Sequence, residues 1–297
     1  MADDLDEGPG APGLSSLDWA DEASRRWLAH AERLEAMLQP VDGLLLPAAR
    51  LEPGAVVLDV GCGRGVTTRA AATAVGPDGH VTGVDISEAT IAEARATHRP
   101  LGSAPVSWVA ADAASHPFPP AHHDRVVSRF GVMFFDDPVA GFANLRHTTR
   151  PGGLLAVAVW QPRDASEFQS LAVDVAVRVA ADHGVRLRPE PPDAGPFAYG
   201  SAPYVTGVLH KAGWAEVAVA PAELDLYLGG PGSTPEQAVE MGRGCGPLGM
   251  LLNDAPPDVG DAVAATLTDE LAERWDGVGV PLRAAIAIVT ARPDARA

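Results

Sequence analysis

The chain has 297 residues, 46% of them hydrophobic, and a mean hydropathy of +0.04, enough for a sizeable core in one large domain or one domain with a cap. Its net charge of −17 repels phosphate backbones and anionic lipids, and Lys and Arg are scattered, so nucleic acid is disfavoured and a neutral or cationic small-molecule substrate favoured. No apolar run is long enough to span a membrane, and the acidic start MADDLDEGPG is unlike a secretory leader. Cys62 and Cys245 offer neither a disulfide framework nor metal-ligand spacing, so the expectation is a cytoplasmic chain with no membrane insertion and no metal.

Residues 1–16 are rich in Asp, Gly and Pro and read as a disordered tail. Over 17–38 the apolar positions Trp19, Ala23, Trp27, Ala31, Leu34 and Leu38 recur at helical spacing, and 41–51 reads as a second helix, so 17–52 is a helical N-terminal segment. Pro53-Gly54 turns the chain into an apolar run, 56–60, with the character of a buried parallel strand. Gly61, Gly63 and Gly65 follow, then a helix whose free N–H groups would face a ligand.

A dinucleotide fingerprint needs a third glycine where Val66 stands. Asp59, two residues before the first glycine, would repel a pyrophosphate and attract an ammonium group. That favours a zwitterionic amino acid joined to a nucleoside. Residues 81–85 read as a second strand ending in Asp85, one βαβ unit on, where a carboxylate can accept from ribose hydroxyls, and Ile86 offers an apolar face to a base. Strands three and four are expected at 106–110 and 125–128, and Pro151-Gly152-Gly153 as the turn into strand five at 154–160.

The run Asp59-Val60-Gly61-Cys62-Gly63-Arg64-Gly65 resembles motif I of the class I S-adenosylmethionine-dependent methyltransferases. The resemblance covers 56–160 strongly and the remainder loosely, and is nearest the ubiquinone and menaquinone biosynthesis group of small-molecule enzymes. It implies S-adenosyl-L-methionine as cofactor, held by Asp59, Gly61, Cys62, Gly63, Gly65, Asp85, Ile86, Asp112, Ala113 and Ser128. Asp112-Ala113 is similar to the family's contact to the adenine amine. Cys62 is expected to be a packing residue, as a small side chain is wanted in the loop.

The alternation of strands and helices predicts an α/β fold: a Rossmann-like, doubly wound seven-stranded sheet, mostly parallel, to which the resemblance adds an antiparallel last strand. Further helices are expected at 138–149, 167–183, 204–212 and 258–275, and strands at 215–228 and 282–291. Pro189, Pro191, Pro192, Pro196 and Pro203 make 186–203 a loop. Thr234-Pro235-Glu236-Gln237 is a capping box starting a helix that fails by 242–246. The expected division is a cofactor core at 53–164, 204–228 and 281–297, a two-part cap at 165–203 and 229–280, and N-terminal helices covering the cofactor mouth, as in similar enzymes.

Methyl transfer from a sulfonium needs alignment more than a catalytic side chain, and a base only where the acceptor must lose a proton. Of nine histidines, His80, His122 and His123 precede strands and belong to the far edge, His147 ends a helix, and His98, His183 and His210 suit exposed surfaces. His30 and His116 survive, each also readable as structural. Glu167 is the first choice for a base or ammonium anchor, with His30 and Arg129 as other catalytic candidates. The segment 128–135, with Phe130, Met133 and Phe134, is similar to the substrate-facing stretch of small-molecule methyltransferases; Trp160 and Trp27 join it as substrate candidates, core packing being the plainer role for about half. O-, N- and C-methylation stay open, as does monomer against homodimer. The alternatives are a cofactor-binding relative that is non-catalytic or performs another reaction, and a nicotinamide-dependent oxidoreductase.

Overall fold

The computed structural model describes residues 22–253 and 255–294. The expected tail at 1–16 and Trp19 lie outside the described residues. The first described elements are the helices α1 (Glu22–Ala29), α2 (Ala31–Leu38) and α3 (Asp42–Ala49). The single helix expected over 17–38 is therefore two, because His30, at φ −122° and ψ 13°, leaves the helical region between them.

The alternating half follows: β1 (Val56–Val60), α4 (Val66–Val75), β2 (His80–Asp85), α5 (Glu88–Ala96), β3 (Val106–Ala110), β4 (His123–Arg129), α6 (Pro138–Thr148) and β5 (Thr149–Trp160). Asp137 caps α6 by accepting from the Ala140 N–H at 2.9 Å, with Pro138 in the first turn, where a missing N–H costs nothing. Pro151-Gly152-Gly153 does not precede β5 as expected but bulges within it. Thr149 pairs with His123 and Leu154 with Arg125, so five residues of β5 span two of β4.

The remaining elements are α7 (Glu167–Asp182), α8 (Ala202–Lys211), β6 (Trp214–Leu228), α9 (Pro235–Gly244), α10 (Pro247–Leu252), α11 (Pro257–Ala272) and β7 (Val280–Pro293). The capping box of α9 is formed, with the Gln237 N–H on Thr234 Oγ1 and Gln237 Oε1 on the Thr234 N–H. Helix α10 was not expected; it restarts at Pro247 where α9 ends. Within the proline-rich loop a short 3₁₀ turn forms at Gly195–Gly200. Helix α11 stops at Ala272, short of the expected 275, and leaves Trp275 half exposed in the turn to β7.

The strands make one seven-stranded sheet in the order β3-β2-β1-β4-β5-β7-β6. Every pairing from β3 to β5 is parallel, and β7 runs antiparallel to both neighbours, as the resemblance implied. The chain winds outward from β1 to β3, then re-enters on the other side of β1 with β4. The crevice between β1 and β4 is thus the switch point at which open α/β sheets take ligands. Beyond the far end, α7 packs on β7 and on α10 and α11, and α9 on α10 and α11, so these four helices form one layer, while the 3₁₀ turn at Gly195–Gly200 packs on β5 and α8. Ion pairs Arg178–Glu270 and Glu167–Arg274 join α7 to α11 and to the turn just after it. Among the described residues no helix is long and apolar enough to cross a membrane.

Candidate active site

The loop from β1 to α4 is held by backbone bonds on each side. The Cys62 N–H donates to Val84 O at 3.0 Å, and the Gly65 N–H to Cys62 O at 2.9 Å. Asp85, at the end of β2, accepts from the Gly63 N–H at 2.9 Å through Oδ2 and from the Ser87 N–H at 3.0 Å through Oδ1. Burial raises its pKa against those two donors. Each carboxylate oxygen keeps a lone pair for a further donor. The turn after β3 abuts this corner, since the Ala111 N–H donates to Asp85 O at 2.9 Å. Asp112 fixes that turn by accepting from the Ala114 N–H and the Ser115 hydroxyl, and Asn144 of α6 braces it by donating to Ala113 O and His116 O.

The three glycines have different reasons. Gly63 has φ +55°, and a Cβ there would meet no atom within 4 Å, so the space over it is open to a ligand. Gly61 touches the loop after β4, where its Cβ would lie 2.6 Å from Gly131 Cα. Gly65 is buried, and its Cβ would strike the Trp108 ring at 2.1 Å. Trp108 reaches there from β3 across Gly83, with the Arg69 guanidinium over its ring at 5.9 Å. The third glycine thus serves packing, not ligand approach.

Two expected cofactor contacts turn inward. Asp59 is 1% exposed, and its Oδ2 accepts from Thr68 Oγ1 of α4 at 2.6 Å. It braces the loop from beneath, and burial pushes its pKa to about 7. Ser128 is fully buried; its hydroxyl donates to Val60 O at 2.7 Å and accepts from the Gly131 and Val132 N–H groups. It staples β1 to the loop after β4. Cys62 is also buried, and its thiol pKa is pushed up by that burial, in keeping with a packing role.

The catalytic candidates fare differently. Arg129 pairs with Asp42 at 3.2 Å, both nearly buried, and Asp42 also accepts from Thr67 Oγ1 at 2.9 Å. Arg129 therefore ties β4 to α3 and α4. Glu167 is 42% exposed and pairs with Arg274 at 3.5 Å. His116 stacks edge-on with Phe118, which meets His123 at the start of β4, the edge away from the crevice. His30 lines a cleft between α1 and the α9–α10 corner. His98, His183 and His210 are exposed as expected, and His147 lies in the last turn of α6.

Of the substrate candidates, Phe130, Met133 and Trp160 are nearly buried. Phe130 and Trp160 stack at 4.1 Å, Trp160 continues to Phe168 of α7 at 5.8 Å, and the Trp160 N–H points at Met133 Sδ. This column joins the sheet to the cap, so core packing claims these three. Trp27 and Phe134 are half-buried against the core. Sequence reasoning missed Arg64. From within the glycine loop it reaches Glu35 of α2 at 3.4 Å and Glu93 of α5 at 2.9 Å, and so latches the N-terminal helices over the loop. Among the described residues no cluster of three or more His, Cys, Asp or Glu is placed to hold a metal ion.

Open space over Gly63 beside a carboxylate at the end of β2, at the switch point, fits a nucleoside-linked amino acid, and the remaining candidates, exposed Gly61, half-buried Ile86 and Asp112 and buried Ala113, lie on the same corner. Comparison with known proteins agrees. Residues 57–153 match the family described as "Methyltransferase domain". Nocamycin O-methyltransferase of Saccharothrix syringae is 31% identical over 263 residues, 86% of this chain and 91% of that protein. Ubiquinone/menaquinone biosynthesis C-methyltransferase UbiE of Burkholderia vietnamiensis is 36% identical over 118 residues, 38% of this chain and 48% of that protein. Among solved structures, the YcgJ protein of Bacillus subtilis shares the fold at a TM-score of 0.56 and 16% identity, covering 86% of this chain and 98% of its own.

Proposed function

This chain belongs to the class I S-adenosylmethionine-dependent methyltransferases, and from that premise we propose that it methylates an oxygen of a small-molecule acceptor of natural-product type. The observation that carries the choice of oxygen is reach. Similarity to nocamycin O-methyltransferase covers 86% of this chain, cap included, whereas similarity to the C-methyltransferase covers 38%. The cap is where an acceptor is selected. The acidic surface supports a small acceptor over nucleic acid.

The cofactor supplies an electrophilic methyl group on a sulfonium, so the protein's work is holding, orienting and excluding water. Asp85 would accept from the ribose hydroxyls while keeping Gly63 in place, and Ile86, Asp112 and Ala113 would hold the base. Asp59, Ser128 and the Arg129–Asp42 pair keep the loop and the crevice in register from behind. Arg64 draws α2 over the loop, which closes that side to water. Glu167 and Arg129 are both turned to other partners, so no side chain is assigned as base, and an acceptor hydroxyl that ionises readily needs none.

Calorimetry with S-adenosylmethionine comes first, and failure to bind would refute the reading. Next, the chain is incubated with methyl-labelled cofactor and a small-metabolite extract, and labelled products are treated with hot hydriodic acid. Oxygen-bound methyl leaves as labelled methyl iodide; label retained on carbon would refute the assignment to oxygen.

A further inference from the structure

A cleft of about 440 Å³, within the range of small-molecule sites, opens between the α1–α2 break and the α9–α10 corner. Its polar wall is Arg26 and His30 on one side, Arg243 and Asn253 on the other. Ala29 and Leu252 supply an apolar surface, and among the described residues no carboxylate lines it. In a chain with 39 Asp and Glu against 22 Lys and Arg, a cleft whose described lining holds two arginines, a histidine and no acid runs against the overall charge.

The wall is shaped for this. His30 stands in the cleft because residue 244 is glycine, where a Cβ would lie 2.8 Å from His30 Nε2. Gly249 lets α10 close on the end of α9, where a Cβ would lie 2.7 Å from Arg243 O. The cleft shares a helix with the cofactor loop. His30 precedes α2, and Glu35, five residues on, holds Arg64 of that loop. At about 1.5 Å per residue the His30 wall stands about 8 Å along α2 from that contact.

We propose that this cleft anchors a carboxylate-type oxyanion on the acceptor, recognised chiefly by the Arg243 guanidinium. The inference rests on the methyltransferase reading and narrows its acceptor to an anionic molecule, against the neutral or cationic one that net charge suggested. Arg243 now holds Asp261 Oδ1 at 3.4 Å through both terminal nitrogens. That carboxylate is 77% exposed, and such a pair is weak enough for a ligand to exchange with it. A guanidinium fork matches a carboxylate with two parallel N–H bonds. Arg26 has another interaction within the chain, so discrimination is assigned to Arg243 and long-range attraction to the group.

The test uses 2-naphthoate and 2-naphthamide, equal in shape and different in charge, titrated by calorimetry into the full chain saturated with S-adenosylhomocysteine. Naphthoate is expected to bind at least fivefold more tightly than the amide. Arg243→Gln should remove that preference without changing amide affinity, and Arg243→Lys should keep part of it. Arg178→Gln, on an exposed pair elsewhere, should change nothing. Equal affinity for the two probes, no binding of either, or a preference that survives Arg243→Gln in a variant that melts like the native chain would overturn the proposal. The saturating step separates this from the parent reading, because failure of S-adenosylhomocysteine to bind refutes the cofactor site whatever the naphthoate does.

Discussion

Substituting Gly131 by alanine tests the join on which the cofactor crevice depends. A Cβ on Gly131 would lie 2.6 Å from Val60 O and 2.7 Å from Gly61 Cα, about 0.7 Å inside ordinary contact, and both neighbours are backbone. The loops after β1 and β4 must part by that amount. The Ser128 hydroxyl, at 2.7 Å from Val60 O and 3.1 Å from the Gly131 nitrogen, cannot follow both. Overpacking of this kind costs about 1–3 kcal/mol and a weakened buried hydrogen bond about 0.5–1.5 kcal/mol, offset by about 0.4–1 kcal/mol because alanine restricts the unfolded chain. A net loss of about 1–3 kcal/mol should lower the melting temperature of a chain this long by about 2–5 °C. Because the displaced atoms belong to the glycine loop, affinity for S-adenosylmethionine should fall at least tenfold. Gly207→Ala in α8, where a Cβ meets no atom within 4 Å, is the matched control and should raise stability slightly. A Gly131→Ala variant that melts within a degree of the native chain and binds cofactor normally would refute the reasoning.

Arg129→Met leaves the nearly buried Asp42 carboxylate without its cation, so stability should drop by about 3–5 kcal/mol in urea titration while turnover per folded molecule persists; full stability with lost turnover would restore Arg129 as a catalyst. Burial holds Asp59 protonated to about 7 against an ordinary 3.8, so the stability it contributes is lost as pH rises through that window, on the order of 4 kcal/mol in all. Asp59→Asn should therefore gain stability relative to the native chain as pH rises from about 4 to 7, and a flat difference would show that Asp59 is ordinary. His123 carries the opposite sign. Burial lowers its pKa from 6.5 to about 4, so its contribution is full above 6.5 and lost toward 4, and His123→Asn should lose ground to the native chain as pH rises through that interval.

How much the sequence disclosed follows from what is local. Continuous apolar runs such as 154–160 belong to strands covered on both faces, and they were legible because burial of both faces leaves no polar alternation to decode. The Thr234 capping box was legible because its partners sit three residues apart. The Arg129–Asp42 pair joins residues 87 apart, and the close approach of His30 to Gly244 brings the first helices against the cap; neither leaves a local trace. Asp59 was misdirected for a reason that strand parity could have exposed. It pairs across the sheet with Gly83, and Gly83 with Trp108, so all three face α4. A glycine in the middle of β2 was the available sign that something large crosses there.

The carboxylates around the loop carry one more consequence. Glu35, Asp42, Asp59 and Asp85 are all raised by burial, with Asp59 coupled to both Asp42 and Asp85. A cation arriving nearby favours their ionised forms, so its binding should release protons. S-adenosylmethionine and S-adenosylhomocysteine share every group except the methyl and its positive charge. Their affinity ratio therefore isolates that charge from loop packing and hydrogen bonding. The ratio should shift toward S-adenosylmethionine as pH rises from about 6 to 8, the interval in which Asp59 ionises, with a slope between 0 and about 1 logarithmic unit per pH unit set by the protons released. Asp59→Asn should flatten most of that slope while leaving S-adenosylhomocysteine affinity nearly unchanged. A ratio constant with pH in the native chain would mean that the sulfonium charge lies beyond electrostatic reach of the buried acids. The acids' burial would then be a matter of loop architecture alone.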